Sequence, residues 1–428
     1  MLARVCLVLT LLVSARAWPQ SSDEMTVSPV VSGIAYPGEV GSETRSNYLA
    51  GGVGFSGGYI HNVYAGSGTS LVNDTNFIVA PSISYDQTTA RFHEGLSFNP
   101  SFSFYQPSSS LDSSNQSAAL DFQYRVSPHV SFRAGDNLTR SSNAFAQPAA
   151  TAVSGSTQTV TPGIVAPYSE QLTNSSSGEA SWQFSRGGMI GATGGATEVH
   201  FPEVLAGGGL SDATTESAGA FYNHRLGGGK YLGVNYSYSH TSETELGIPT
   251  VVHTDFVMPF VTIYVTPTFT FSLSGGSQYY SISSVGTSLM HGWQPAGTGS
   301  FSWQGLRTSF AASYNKTVTA GAGLAGAFQS SSANANFRWQ MARTWTAGAG
   351  AVYGMNKSAD ALPGTAAGGH TISGTASLQH SLSSHMGLSF LYSRIHQSYP
   401  GVTAISADPD TDQVLASLSY RFNRPAGQ

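Results

Sequence analysis

Short and long connections alternate without a miss between segments of period two, and that regularity limits the fold of this chain more than any other feature. The segment "SAALDFQYRV" places Ala118, Leu120, Phe122, Tyr124 and Val126 on one side, and Asp121, Gln123 and Arg125 on the other. "HVSFRAGDN" continues with Val130, Phe132 and Ala134 against Ser131, Arg133 and Gly135, after only "SPH". Alternation of this kind marks a strand with two unlike faces, and so short a connection makes the two strands a hairpin. Short connections recur at 86–91, 127–129, 186–188, 226–230, 266–267, 304–305, 341–343 and 382–385. Longer polar ones, rich in Gly, Ser and Asn, fall near 61–74, 106–116, 141–176, 199–213, 241–250, 283–297, 316–324, 357–369 and 397–410. Eight short turns and nine long loops imply 18 strands. Gly-rich pieces such as "MIGATGGATE" (189–198) alternate weakly and leave 16 as the other count.

The pattern fits an all-β fold: a transmembrane, antiparallel, up-and-down β-barrel with short periplasmic turns and longer extracellular loops. The reason lies in the solvent. Lipid offers no partner to a backbone N–H or C=O, so a sheet can cross it only by closing on itself. A soluble sandwich would share the alternation, with its apolar face buried as a core. Two features favour the barrel. Aromatic residues gather beside the short turns, with Trp182, Trp303, Trp339 and Trp345 accounting for four of six tryptophans; amphipathic rings form such girdles at headgroup level. Charges also sort by end. Arg91, Arg125, Arg186, Arg225, Arg307, Arg338, Arg343, Arg421 and Arg424 lie at the short turns, whereas most Asp and Glu lie in or beside the long loops.

The first residues, "MLARVCLVLTLLVSARAW", have a basic start, an apolar run and a small-x-small site, the form of a cleaved secretory leader over 1–17. The only cysteine, Cys6, falls inside it, so neither disulfides nor thiolate chemistry are expected afterwards. The organisation expected next is a periplasmic arm at 18–46, the barrel at 47–424 and a tail at 425–428. Without the leader, sixteen basic residues stand against twenty-three acidic ones, which argues against nucleic acid as a partner.

The final segment, "VLASLSYRF", resembles the C-terminal signal strand of bacterial outer-membrane β-barrel proteins, in which alternating apolar residues end on an aromatic. Val414, Ala416, Leu418, Tyr420 and Phe422 carry the likeness, and six further residues, Asn423 to Gln428, depart from it. The resemblance implies a porin-like protein of the bacterial outer membrane, recognised by the barrel-assembly machinery and closed by pairing of its last strand with its first. A second likeness is narrower. "DEMTVS" (23–28), through Asp23, Glu24, Thr26 and Val27, resembles the energy-coupling box of active outer-membrane transporters. Those barrels have about 22 strands and a plug, and the short arm here has no room for a plug domain.

Catalytic chemistry has little support. His240 lies near Glu243, and His253 two residues before Asp255 near the outer rim, where a hydrolytic site is conceivable, but no nucleophile elbow, zinc helix or phosphate loop occurs. "DPDTD" places Asp408, Asp410 and Asp412 at alternate positions, but a twelve-residue calcium loop fails where Gln413 replaces Gly and Ser419 replaces Glu. No enzyme, metal or cofactor is therefore expected. The leading expectation is a passive channel for small hydrophilic solutes, with Asp121, Arg125 and Arg133 lining the pore and 141–176 folding inward or outward. The alternatives are a structural or adhesive barrel acting through its loops and, third, an outer-membrane hydrolase. Outer-membrane lipids are the expected surroundings, and a homo-oligomer stays open.

Overall fold

The computed structural model describes residues 46–64, 71–142, 170–202, 211–245, 248–284, 290–321, 324–359, 368–399 and 410–425. The leader, nearly all of the arm, residues 143–169 of the longest connection and the last three residues lie outside them.

Nineteen strands form one antiparallel sheet. They are β1 (Ser46–His61), β2 (Asp74–Thr88), β3 (Phe92–Phe98), β4 (Ser101–Gln106), β5 (Ser113–Ser127), β6 (Val130–Ser141), β7 (Gln171–Gln183), β8 (Gly188–His200), β9 (Asp212–Gly227) and β10 (Lys230–Glu245). They continue as β11 (Ile248–Thr266), β12 (Phe269–Ser284), β13 (Met290–Gln304), β14 (Thr308–Gly321), β15 (Leu324–Gln340), β16 (Trp345–Ser358), β17 (Gly369–Ser381), β18 (Met386–Ser398) and β19 (Asp410–Pro425). Each pairs with its neighbours in sequence, and β19 returns to β1 in a ladder from Tyr48↔Pro425 to His61↔Asp412. The sheet is closed. β3 and β4 are two halves of one stave, since β2 and β5 each pair with both. The break falls at Asn99-Pro100, where proline has no N–H to give the ladder. The barrel thus has 18 staves, the larger of the two counts the turns implied.

All eight short turns lie at one end, where β1 begins. The other end departs from expectation in three places. At 241–250, 283–297 and 316–324 the strands run on, with only 246–247, 285–289 and 322–323 outside them. Polar Ser, Thr and Gly read as loop only where one face must be apolar; beyond the bilayer a ladder can continue with both faces polar. Strands of 12 to 19 residues are common here, and about 9–11 suffice to cross.

The outer face is the apolar one. Phe55, Phe77, Ile83, Phe104, Leu120, Phe132, Leu232, Val257, Leu273 and Phe390 stand exposed on it. Trp182, Trp303 and Trp339 are exposed beside the short turns, and Trp345 stacks on His380 there at 4.3 Å. At the opposite end Trp293, 67 % exposed, and Tyr279 pair at 5.3 Å. Two aromatic levels bounding an apolar band are what a sheet meeting lipid requires. Val414, Leu418 and Phe422 point outward on β19, and Tyr420 shares their face. The Phe422 ring lies over Gly51 directly opposite, where a Cβ would overlap it, so the closing seam is packed.

Candidate functional site: the barrel interior

The inner wall of β2–β7 holds a cluster of charged side chains. Asp121 and Arg133, two rungs apart across β5 and β6, form an ion pair at 2.9 Å, with side chains 39 % and 42 % exposed. A charged pair this accessible on the inner side of a closed sheet has water before it. His93 stands 3.8 Å from Asp121 and 3.9 Å from Asp86, and bonds the Thr88 hydroxyl at 2.8 Å. Glu179 lies directly opposite Arg133 on β7. Of the three residues expected to line a pore, Asp121 and Arg133 therefore meet, while Arg125 lies lower on the same face, near the short turns.

Between Arg225 at its foot and the buried Glu243 near its top, the wall of β8–β13 is neutral. Cross-strand hydroxyl pairs run along it: Ser175–Thr197 at 3.1 Å, Thr215–Thr241 at 2.9 Å, Ser239–Thr254 at 2.7 Å and Thr262–Ser272 at 2.8 Å. Aromatic side chains also point inward here, and each lies flat across a glycine of the next strand. Phe221 covers Gly191, Phe260 covers Gly233 and Tyr280 covers Gly292, every pair in direct register. A Cβ at any of these glycines would meet the ring. The missing side chain lets the ring lie along the wall instead of across the lumen.

One hairpin leaves the wall. The β13–β14 ladder stops at Gly297↔Lys316, although β14 and β15 stay paired up to Gly321↔Leu324. Beyond Lys316 the hairpin bends inward. Val318 and Ala327 pack with Val252, Tyr280 and Ile282 on the inner side of β11 and β12. Gln278, 1 % exposed, clamps it: Oε1 accepts from the Val318 N–H at 2.7 Å and the Thr317 hydroxyl at 2.9 Å, and Nε2 donates to the Val318 carbonyl at 2.7 Å. Gln329 Nε2 reaches Gln294 Oε1 at 3.1 Å, and the Tyr280 hydroxyl donates to the Ala359 carbonyl at 3.3 Å. The inward element within the described residues is thus this hairpin; the 141–176 segment expected to play that part lies mostly outside them, and β7 already starts at Gln171.

At the opposite mouth the backbone sets a level. Arg125, Gln183, Arg225, Tyr264, Gln304, Gln340, Ser381 and Arg421 each donate their N–H to a carbonyl of the preceding short turn, at 2.7–2.9 Å. They sit on eight successive descending strands and all take the inward side, next to outward Trp or Tyr in most cases. The sequence carried this signal as a repeated dipeptide: Tyr124-Arg125, Trp182-Gln183, Trp303-Gln304, Trp339-Gln340 and Tyr420-Arg421. Reading those aromatics as a girdle leaves the inward partner unread.

Of the acid–histidine neighbours, His240 and Glu243 separate, while His253 and Asp255 stay on the outer face of β11. Glu243 is buried on the inner side, whereas His240 is on the outer face, 3.2 Å from His253. His253 bonds the Tyr238 hydroxyl at 3.0 Å, and Asp255 accepts from Tyr236 at 2.9 Å. Asp410 accepts from Arg394 Nε at 2.9 Å and Asp412 lies 3.4 Å from His61, while Asp408 is outside the described residues. Among the described residues no three His, Cys, Asp or Glu side chains come together as metal ligands would.

No family model matches the chain, and no curated protein does. Solved structures similar to it include Pseudomonas aeruginosa OccK2 (OpdF), 10 % identical over 89 % of this chain and 98 % of that one, TM-score 0.46. The FrpB iron transporter from Neisseria meningitidis (F3-3 variant) is 11 % identical over 91 % and 83 %, TM-score 0.45. Pseudomonas aeruginosa OpdK with vanillate is 12 % identical over 88 % and 99 %, TM-score 0.41. At such scores the likeness decides nothing for this chain, whose closed sheet rests on its own strand pairings.

Proposed function

We propose that the chain is a passive, porin-like channel of the bacterial outer membrane, passing small hydrophilic solutes or ions through a lumen narrowed by the β14–β15 hairpin. The observation that carries this reading is the water-accessible Asp121–Arg133 pair inside a sheet whose outside is apolar. A barrel of this size keeps an aqueous interior unless something fills it. The hairpin takes up part of the outer half, and the charged group and the ring of Arg and Gln lie below it. Lipids cover the aromatic-bounded band, and the terminal strand β19 serves as assembly signal.

Planar-bilayer conductance of the refolded chain tests the reading. Ohmic steps that grow in Gln278→Leu, which frees the hairpin, are the expected result. A folded, heat-modifiable barrel that stays silent in both forms overturns it and moves attention to the outer loops.

A further inference from the structure

The outer face of β7–β9 has a hollow low in the apolar band. Ala180, Ala192 and Ala220 stand side by side in register, and the next outward rung reads Gly178, Gly194 and Ala218. A Cβ at Gly178 or Gly194 would meet only a backbone oxygen, at 3.9 and 3.7 Å, so no side chain of a neighbouring strand lies over them. The inward Gly191 of β8 is covered by Phe221; these outward glycines are bare. Large side chains wall the hollow in. Trp182, Ile190 and Tyr222 form the rung below it, Tyr236 stands beside Ala220 on β10, and Phe132 beside Ala180 on β6. The recess encloses about 640 Å³ and is lined almost wholly by apolar atoms, a size within the roughly 300–1,000 Å³ of ordinary ligand sites.

The way in from below passes Ile190, the shortest of the three lower side chains. Beneath it lies the β7–β8 turn, where Arg186 is exposed, and Lys230 is exposed at the start of β10. The turns at 184–187 and 226–229 hold no acid. Phe184, two residues before Arg186, stands between Trp182 and Tyr222 with ring centres 6.1 and 6.4 Å away, at the level that aromatic rings take beside headgroups. From the turn upward the face therefore offers cations, an aromatic step and an apolar trough. Phosphate, glycerol ester and acyl chain follow in the same order in a phospholipid, and a guanidinium holds phosphate oxygens through charge-assisted hydrogen bonds. A second copy of the chain fits less well. Its own short-turn end carries arginines and would set cation against cation.

We propose that this recess is a phospholipid site: one acyl chain of a lipid in the leaflet at the short-turn end lies over Ala192, and its phosphate meets Arg186 and Lys230. Such a lipid stays longer than its neighbours, because the trough gives its chain contacts on several sides that a flat wall does not offer. The site needs the barrel in a membrane and not an open lumen, so a barrel without conductance leaves it untouched.

Native mass spectrometry of the full chain, released from vesicles of phosphatidylethanolamine and phosphatidylglycerol, tests the site. One phospholipid is expected to survive on the wild-type barrel under activation that strips the others. Ala192→Phe, which fills the trough, should abolish that adduct. Gly374→Phe, on the opposite side of the barrel with nothing within 4 Å of its Cβ position, should keep it. Arg186→Gln should cut its occupancy about fivefold, the effect of one basic side chain at an anionic surface. The electrophoretic shift on heating shows that each variant is folded. An adduct that is absent from the wild type, persists in Ala192→Phe or disappears equally in Gly374→Phe overturns the proposal, as does one indifferent to Arg186→Gln. A dimer mass that Ala192→Phe abolishes overturns it too, and assigns the recess to a second copy.

Discussion

The β5–β7 wall and the β8–β12 wall follow one rule of alternation, yet they present unlike surfaces to the same lumen. The first offers Asp121, Arg133 and Glu179, half exposed and facing one another across rungs. The second offers hydroxyl pairs and the rings of Phe221, Phe260 and Tyr280, all buried although they point inward. The glycines make the difference. Where Gly191, Gly233 or Gly292 faces an aromatic, the ring folds down onto the neighbouring strand and is shielded on one side by backbone. An inward Phe then behaves as wall packing instead of as an obstacle. On the β5–β7 wall no inward ring faces a glycine, and Asp121, Gln123, Arg133, Asn137 and Glu179 are groups that water can solvate.

If that difference is real, filling a glycine on the neutral wall should do the most damage. In Gly233→Val the new side chain meets both the Tyr222 carbonyl oxygen and the Phe260 ring, so backbone as well as ring must move. The expected loss is about 3 kcal/mol or more, from overpacking a site with no slack. It would be seen as a lower unfolding midpoint in the electrophoretic shift of the heated barrel. A near-wild-type midpoint would mean that the rings do not lie on the glycines. Phe260→Ala, which empties the same place without touching backbone, should cost about 3 kcal/mol, and a side chain at Gly233 in that background would still meet the Tyr222 carbonyl.

The clamp on the hairpin ranks next. Gln278→Leu leaves the Val318 N–H and C=O without their partner, and each buried unpaired group costs about 1–3 kcal/mol. The hairpin can avoid that by moving into water, so the global midpoint should fall by less than the sum. Amide exchange at Val318 should rise at least tenfold, the factor that about 1.4 kcal/mol of lost local protection implies. Unchanged exchange would show that the apolar contacts with Val252 and Ile282 hold the hairpin unaided.

How much of this could be read from residues alone depends on what the signal had to encode. Strand number was legible because water at one end and loops at the other stamp different connection lengths on the chain. The sides of Asp121, Arg125 and Arg133 followed from period two. The hairpin did not show itself. In "KTVTAGAGLAGAFQS" (316–330) the first nine residues read as a polar connection, and nothing local says that the strand continues there while its ladder to β13 stops at Lys316. Its partner is Gln278, about forty residues away, and a single buried glutamine on a polar face looks like its solvated neighbours. The strands through 241–250 and 316–324 were missed for a related reason: above the bilayer both faces meet water, and polarity ceases to report pairing.

The charged wall should prove the least important for stability and the most important for selection. Asp121→Asn removes one end of a pair that is about 40 % exposed at both ends, so the midpoint should shift by under about 1 kcal/mol. Arg133 keeps Glu179 opposite it on β7, which limits any local rearrangement. What changes is the lumen's charge at that level, by one unit in the positive direction. At a few ångströms from a water-filled path, one charge is worth a fraction of a kcal/mol after screening, so the anion-to-cation permeability ratio should rise by about twofold. Arg133→Gln should move it as far the other way. Reversal potentials in a salt gradient read both. Equal and opposite shifts place the conducting path along the β5–β7 wall; a shift in neither would put the path along the neutral wall, where Phe221 and Phe260 lie flat.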